Sequence, residues 1–242
     1  MMRRVRLQPY ATAGLEALTV VAAYLTYSAI RVFVEGTEAR AVDHAFQLVS
    51  IEKALGLFHE ESVQRFVESM PWLAATMKGV YLWAYLPMLI ISAAIIYVRD
   101  RELYRCYRNT FFVAACAGLI FFALVPVAPP RMLPELGFID PIHPPMMTSG
   151  AKNEFAAVPS FHFGFTMLAA MGVAHTFGWR RWLTAGLALL PAIMLLAIVS
   201  TANHFFTDAV IGALVVMAAW MFCVSNTGGE KSSEREPLMR PV

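Results

Sequence analysis

Charge is what this chain has least of. Asp, Glu, Lys and Arg make up 15% of its 242 residues, against 58% hydrophobic. Such a sequence cannot cover an ordinary soluble domain with polar surface, so an integral membrane protein is expected. The net charge of +2 carries no basic surplus, and no nucleic-acid partner is expected. Cysteine is scarce too: Cys106 falls in a basic loop, and Cys116 and Cys223 inside apolar runs. That arrangement offers no outer disulfide. Cys-x-x-Cys and His-Glu-x-x-His spacings are both missing, so no metal or other cofactor is expected. No internal repeat is visible.

What the chain does have is long apolar runs. Six stretches, 11–34, 73–98, 111–127, 158–177, 183–201 and 204–224, are each long enough for a hydrocarbon core of about 30 Å. The predicted fold is therefore all-α, a polytopic membrane bundle of six transmembrane helices forming one catalytic domain over 1–224. No small-residue cleavage site follows the first run, which reads as a retained span. Arg3, Arg4 and Arg6, then Arg99, Arg101, Arg105 and Arg108, then Arg180 and Arg181, then Lys231, Arg235 and Arg240 all fall on one side if the spans alternate. The other side receives the sparser Arg40, Lys53, Arg65, Arg131 and Lys152. The positive-inside rule then predicts a multi-pass plasma-membrane protein with both termini cytoplasmic.

Residues 38–70 differ in kind. Val42, Ala45, Phe46 and Val49, then Val63, Phe66, Val67 and Met70, recur at helical spacing between polar residues. They predict amphipathic helices on the outer membrane surface. Glu52, Glu61 and Gln64 are assigned to solvated helix faces, with an inward orientation as the alternative. Residues 128–157 form a proline-rich outer loop, expected to be a structured cover over a site. The polar tail 225–242 is expected to be disordered. Pro87 and Pro191 should kink their spans or locally break the helical ladder. The small pairs Ala114/Gly118 and Ala209/Ala213 suit close helix packing. Arg31, at the end of the first span, reads as an anchor snorkelling to the interface. His44, His59 and His175 receive no role, and Asp140, His143 and Glu154 are expected to meet water.

Three polar groups from distant parts of the chain fall at span ends on the outer side. Arg131 follows the third span, His162 opens the fourth and His204 opens the sixth, with Asp208 one turn further. In Ala-Ala-Val-Pro-Ser-Phe-His, residues 156–162, Pro159 and Ser160 are helix-opening residues, Ser160 as a cap. A helix start offers unpaired N–H groups and the positive end of a dipole to an anion such as phosphate. His204 and Asp208 share a helix face, so the carboxylate can accept the Nδ1 proton and leave Nε2 free. Around a phosphate, His204 would attack phosphorus, Asp208 would steady the imidazolium and His162 would protonate the leaving oxygen. Arg131 would clamp the non-bridging oxygens, aided by N–H groups near Ser160 and Phe161.

The ordered set Pro129-Pro130-Arg131, Pro159-Ser160-Phe161-His162 and His204-x-x-x-Asp208 resembles the signature motifs of the phosphatidic acid phosphatase type 2 superfamily. Its wording is most similar to the inositol phosphorylceramide synthase-like branch and its bacterial relatives. The resemblance implies a metal-independent lipid phosphatase or phosphotransferase with a phosphohistidine intermediate, His204 as nucleophile, Asp208 as its partner, His162 as acid and Arg131 as a phosphate ligand. Its partners would be a lipid phosphate or phospholipid substrate and the membrane lipids. The chain departs from the usual pattern in four places. Leu124 stands where a lysine is usual, Met132 where a proline is, and Ala197 and Ile198 where Ser-Arg is. Two phosphate-binding cations are thus missing. Either Lys152, Asn153 and Asn203 replace them, or the substrate is a singly charged phosphodiester.

Two other classes stand beside this one. A transporter or channel could use His and Asp as a proton relay, but such sites are expected near the midplane of a repeat rather than at span ends. A metal-dependent hydrolase could draw ligands from His143, His162, His204 and Asp208.

Overall fold

The computed structural model describes residues 8–142 and 153–233, with side chains for 14–142 and 153–225. Among these the fold is helical, and the only β element is an isolated bridge between Val127 and Ala156. The elements are α1 (Gln8–Phe33), α2 (Glu38–Ala54), α3 (Glu60–Glu68), α4 (Pro71–Gly79), a π-helical turn (Val80–Ala84), α5 (Tyr85–Arg99), α6 (Arg101–Leu124), α7 (Phe161–Thr176), α8 (Arg181–Ser200) and α9 (Phe206–Ser233).

Five helical runs among the described residues are long and apolar enough to cross a membrane: Gly14–Phe33, Pro71–Arg99, Arg101–Leu124, Arg181–Ser200 and Phe206–Ser225. Their outward faces expose Trp83, Ile90, Ile120, Leu189 and Leu214. That is the reverse of a soluble bundle and suits a hydrocarbon surrounding. The expected fourth span differs. α7 has 16 residues, a length of about 24 Å at 1.5 Å per residue, short of a full hydrocarbon core. It is instead the central post, packed on α5, α6, α8 and α9 with ten residues buried. α9 continues to Ser233, past the expected end at 224, and the rest of the expected tail lies outside the described residues.

Glycine sets the spacing around this post. A Cβ on Gly212 of α9 would overlap the Ser160 carbonyl, and one on Gly164 of α7 would lie 2.8 Å from the Gly212 carbonyl. Gly118 of α6 likewise leaves room for the Phe161 ring. The sequence reading had picked out Gly118 but not the Gly164–Gly212 crossing.

α2 is stitched to the end of α6. Arg40 donates to the Leu124 carbonyl at 2.9 Å, one of the carbonyls that a helix end leaves without a partner. His44 Nδ1 donates to the Pro126 carbonyl at 2.8 Å, and Ala128 N–H to the Ala41 carbonyl at 3.0 Å. The burial pattern of α2 and α3 departs from expectation. Ala41, Ala45, Leu48, Val49 and Glu52 are buried on α2, and Glu60, Gln64 and Val67 on α3, while Phe66 is 64% exposed. Glu52 and Gln64 therefore turn inward, correcting their assignment to solvated faces. An apolar surrounding removes the reason for Phe66 to hide.

Candidate active site

One end of the bundle gathers the starts of α7 and α9, the ends of α1, α6 and α8, and helices α2 and α3. Between α8 and α9 the chain must reverse within five residues. Ala202 takes a left-handed φ of 52°, and the N–H groups of Asn203 and His204 both reach the Ile198 carbonyl, at 3.0 and 3.2 Å. This tight return delivers His204 to the mouth of α9.

His204 is 6% exposed, and its Nδ1 has two partners: the Ala157 carbonyl at 2.9 Å and Asp208 Oδ2 at 3.3 Å. A carbonyl oxygen can only accept, so Nδ1 carries the hydrogen and Nε2 keeps its lone pair. The expected role of Asp208 as Nδ1 acceptor is thus shared, and the backbone holds the shorter bond. Asp208 Oδ2 also accepts the Phe205 N–H at 2.9 Å, which closes the first turn of the segment onto itself. Burial pulls the His204 pKa down to about 3; the Ala157 hydrogen bond opposes that shift, and the charges of Arg131 and Arg31 add to it. The imidazole is therefore neutral near pH 7, the form in which a histidine can act as a nucleophile.

His162 is the second residue of α7, nearer the helix start than one full turn. Its ring stacks on Tyr81 at 4.7 Å and 29° and leans on Tyr85 at 4.8 Å. Pro87 lies shortly after the π-helical turn at Val80–Ala84. It has no N–H for the Trp83 carbonyl and its ring crowds that group. The widened turn accommodates this as a local break in the helical ladder and carries Tyr81 against the imidazole. The centroids of His162 and His204 are 5.9 Å apart. Reacting groups need to come within about 3–3.5 Å of the atom between them, and this gap admits one tetrahedral phosphorus to both rings.

Arg131 sits in a 3-10 turn, Pro130–Met132, with its N–H on the Ala202 carbonyl at 2.9 Å. Its guanidinium donates to Asn203 Oδ1 at 2.6 Å and pairs with Asp140 at 3.7 Å. Asn203 is in turn fixed through its Nδ2 to the carbonyl and hydroxyl of Thr201, at 3.0 and 2.9 Å. Asp140, expected to meet water, is thus a counter-charge of Arg131. Asn203, expected among the substrate contacts, orients the same arginine and also lines the cavity.

The remaining assignments divide. Phe161 lines the cavity, but its ring serves packing, stacked on Phe165 at 4.6 Å. Ser160 stands at the N-cap position of α7 without a side-chain cap bond, which corrects its reading as a cap. Its N–H donates to the Asp208 carbonyl at 2.9 Å, and its buried Oγ has no partner among the described residues. That N–H is therefore spent within the protein and unavailable to phosphate. Asn153 lines the cavity, but its side chain donates to the Arg31 carbonyl at 3.0 Å and accepts from the Phe155 N–H at 3.0 Å. Lys152 and His143 lie outside the described residues.

Two features escaped the sequence reading. Arg31, read as an interfacial anchor, lines the cavity instead. Glu52 and Glu60, both fully buried, take up the N–H groups at the start of α9. Glu60 accepts from Phe206 at 2.9 Å, and Glu52 from the N–H and hydroxyl of Thr207 at 2.9 and 2.6 Å. Burial, assisted by the neighbouring Glu52 and opposed by the Phe206 N–H, raises Glu60 to about 8. Glu60 therefore keeps its proton at neutral pH.

The cavity has a volume of about 210 Å³ and contains both histidines, Arg131, Tyr81 and Tyr85. That is room for a head group, with apolar chains left outside. The fold is a helical bundle with runs long and apolar enough to cross a membrane, and its cavity sets two histidines and an arginine around one space. A family model, the PAP2 superfamily, matches residues 46–222, and the chain belongs to that superfamily. The chain has no match among curated proteins or among solved structures.

Proposed function

We propose that the protein is a lipid phosphatase or phosphotransferase of the plasma membrane, acting on a phosphorylated lipid at the extracytoplasmic leaflet through a phosphohistidine on His204. The observation that carries this reading is the pair of imidazoles 5.9 Å apart in one cavity with Arg131, the His204 ring fixed in the tautomer that leaves Nε2 free. Nε2 attacks phosphorus; a P–N bond forms as the P–O bond to the leaving group breaks, and His162 gives its proton to the departing oxygen. Asp208 steadies the charge on His204, and Arg131 spreads that on the non-bridging oxygens. Water or an alcohol then attacks the phosphohistidine, returning its proton to His162 and freeing His204. Nucleophile, acid and clamp are all protein groups.

Orientation has its own support. Arg108 pairs with Glu16 near the start of α1, beside Arg101 and Arg105, whereas Arg31 near the end of α1 lies over Phe122 near the end of α6. The arginine-rich end is thus opposite the cavity, and the positive-inside rule puts the cavity outside. On this reading α7 is a sixth, partly immersed span, α2 and α3 lie at the outer interface, and both termini are cytoplasmic. The segments 156–162 and 202–208 favour the inositol phosphorylceramide synthase-like branch.

The test is turnover of a lipid phosphate panel by the purified full chain, with His204→Ala as the variant. A loss of at least about 10⁴-fold is expected, with folding retained. A rapid alkaline denaturing quench with ³²P-labelled substrate, which preserves the acid-labile P–N bond, should trap label on the wild type and none on His204→Ala. Retained turnover in the variant removes the nucleophile.

A further inference from the structure

The family's usual phosphate-binding cations are replaced here by Leu124, which is 61% exposed on the outside of α6, and by Ile198, which is fully buried among apolar neighbours. Neither position can recruit a charge to the cavity. Arg131 alone is an incomplete substitute, because Asp140 at 3.7 Å already offsets part of its charge. A doubly charged phosphate between the two histidines would remain undercompensated in a largely buried site.

Arg31 supplies what is missing. It reaches the same cavity as Arg131, His162 and His204 from α1, upstream of the stretch that matches the family model. Its guanidinium is held rather than loose. Nη2 points to the Asn153 carbonyl at 3.5 Å and the group lies 5.7 Å above the Phe122 ring. Its Nε is buried with no hydrogen-bond partner among the described residues. A guanidinium has five N–H donors, and the single long bond to Asn153 uses little of that capacity in a group that lines the cavity. The backbone there is strapped down as well: Asn153 Nδ2 donates to the Arg31 carbonyl at 3.0 Å, and the Glu154 N–H to Glu35 at 3.0 Å. A snorkelling anchor would need neither strap nor cavity. The charge also reaches the reacting centre, since Arg31 acts on His204 together with Arg131.

Resting on the phosphate reading of the cavity, we propose that Arg31 is its second phosphate-binding cation, and that with Arg131 it selects a doubly charged group, a lipid phosphomonoester or the terminal phosphate of a lipid diphosphate. A phosphodiester, with one charge, uses Arg131 and gains little from Arg31. The singly charged alternative raised by the missing family cations is then unnecessary, because the second cation has moved to another helix.

The experiment measures binding of inorganic phosphate and of dimethyl phosphate to the full chain at pH 8. It compares wild type, Arg31→Gln, Arg31→Lys and the surface control Arg65→Gln. For Arg31→Gln, phosphate binding should weaken at least about tenfold while dimethyl phosphate changes less than about threefold; Arg31→Lys should fall between wild type and Arg31→Gln. Arg65→Gln should match wild type. Phosphate binding unchanged in Arg31→Gln overturns the role of Arg31 and leaves the phosphate reading standing. Failure of the wild type to bind either anion overturns both. If Arg31→Gln does not fold, phenylglyoxal modification of the wild type decides: phosphate should slow modification of Arg31 at least about fivefold by peptide mapping, and equal rates with and without phosphate overturn the proposal.

Discussion

Two helix starts converge on the cavity, and they are finished in opposite ways. At α9 the first N–H groups are sealed by the carboxyls of Glu52 and Glu60, which come from α2 and α3. At α7 no side chain caps the helix, and Phe161 and His162 at its start line the cavity. Both starts carry the same unpaired donors and the same positive dipole end. What fills them differs: the protein's own carboxyls complete one, and the other faces the cavity. A helix start closed by its own chain is scaffold, and one left open is available to a ligand.

The largest expected effect comes from joining the two starts too tightly. Gly212→Ala places a methyl group into the Ser160 carbonyl, so α7 and α9 must separate. Thermal unfolding should register a loss of about 3 kcal/mol, at the upper end of overpacking costs. An unchanged melting temperature would mean that the two starts do not depend on each other. Next comes the sealed start itself. Glu60→Ala strips a buried acceptor from the Phe206 N–H and should cost about 1–3 kcal/mol.

Glu60→Gln sharpens the same point through pH. Glu60 keeps its proton up to about pH 8 when folded but only to about 4.5 when unfolded. The folded state therefore binds more protons between those values, and its stability is complete in acid and lost as pH rises toward 8. Glutamine has no proton to lose, so the variant should show a flatter melting temperature between pH 5 and 8 than the wild type. Parallel slopes would remove Glu60 as the titrating group. The smallest effect belongs to the open start. Ser160→Ala removes a buried hydroxyl that caps nothing, and stability should stay within about 0.5 kcal/mol of wild type or rise slightly. A loss above about 1 kcal/mol would show the serine to be a working cap.

The sequence reveals the chemistry better than its support. The pair His204 and Asp208 is visible from its four-residue spacing, although His204 stands ahead of α9 and the contact is made across the helix start rather than along a helix face; His162 is visible because an unusual polar residue follows Pro-Ser at the head of an apolar run. Arg31 was not legible: an arginine at a span end looks the same whether it turns to water or inward, and nothing in its spacing ties it to residue 153. Tyr81 and Tyr85 were hidden for the converse reason, since aromatic residues in an apolar span announce no orientation. Glu52 and Gln64, assigned to solvated faces, are buried instead, because a rule made for water turns polar residues outward. The five long runs followed from hydropathy alone, while α7 shows that an apolar stretch can be short because helices, and not lipid, surround most of it.

The carbonyl of Ala157 deserves the last consequence. A side-chain acceptor can be silenced by acid, mutated away or swung aside by a rotamer change. A peptide oxygen has no proton to gain at any biological acidity, and no substitution at residue 157 deletes it. By leaning on main chain as well as on Asp208, the ring of His204 is aimed by the fold itself, and its aim outlasts the loss of any one side chain around it.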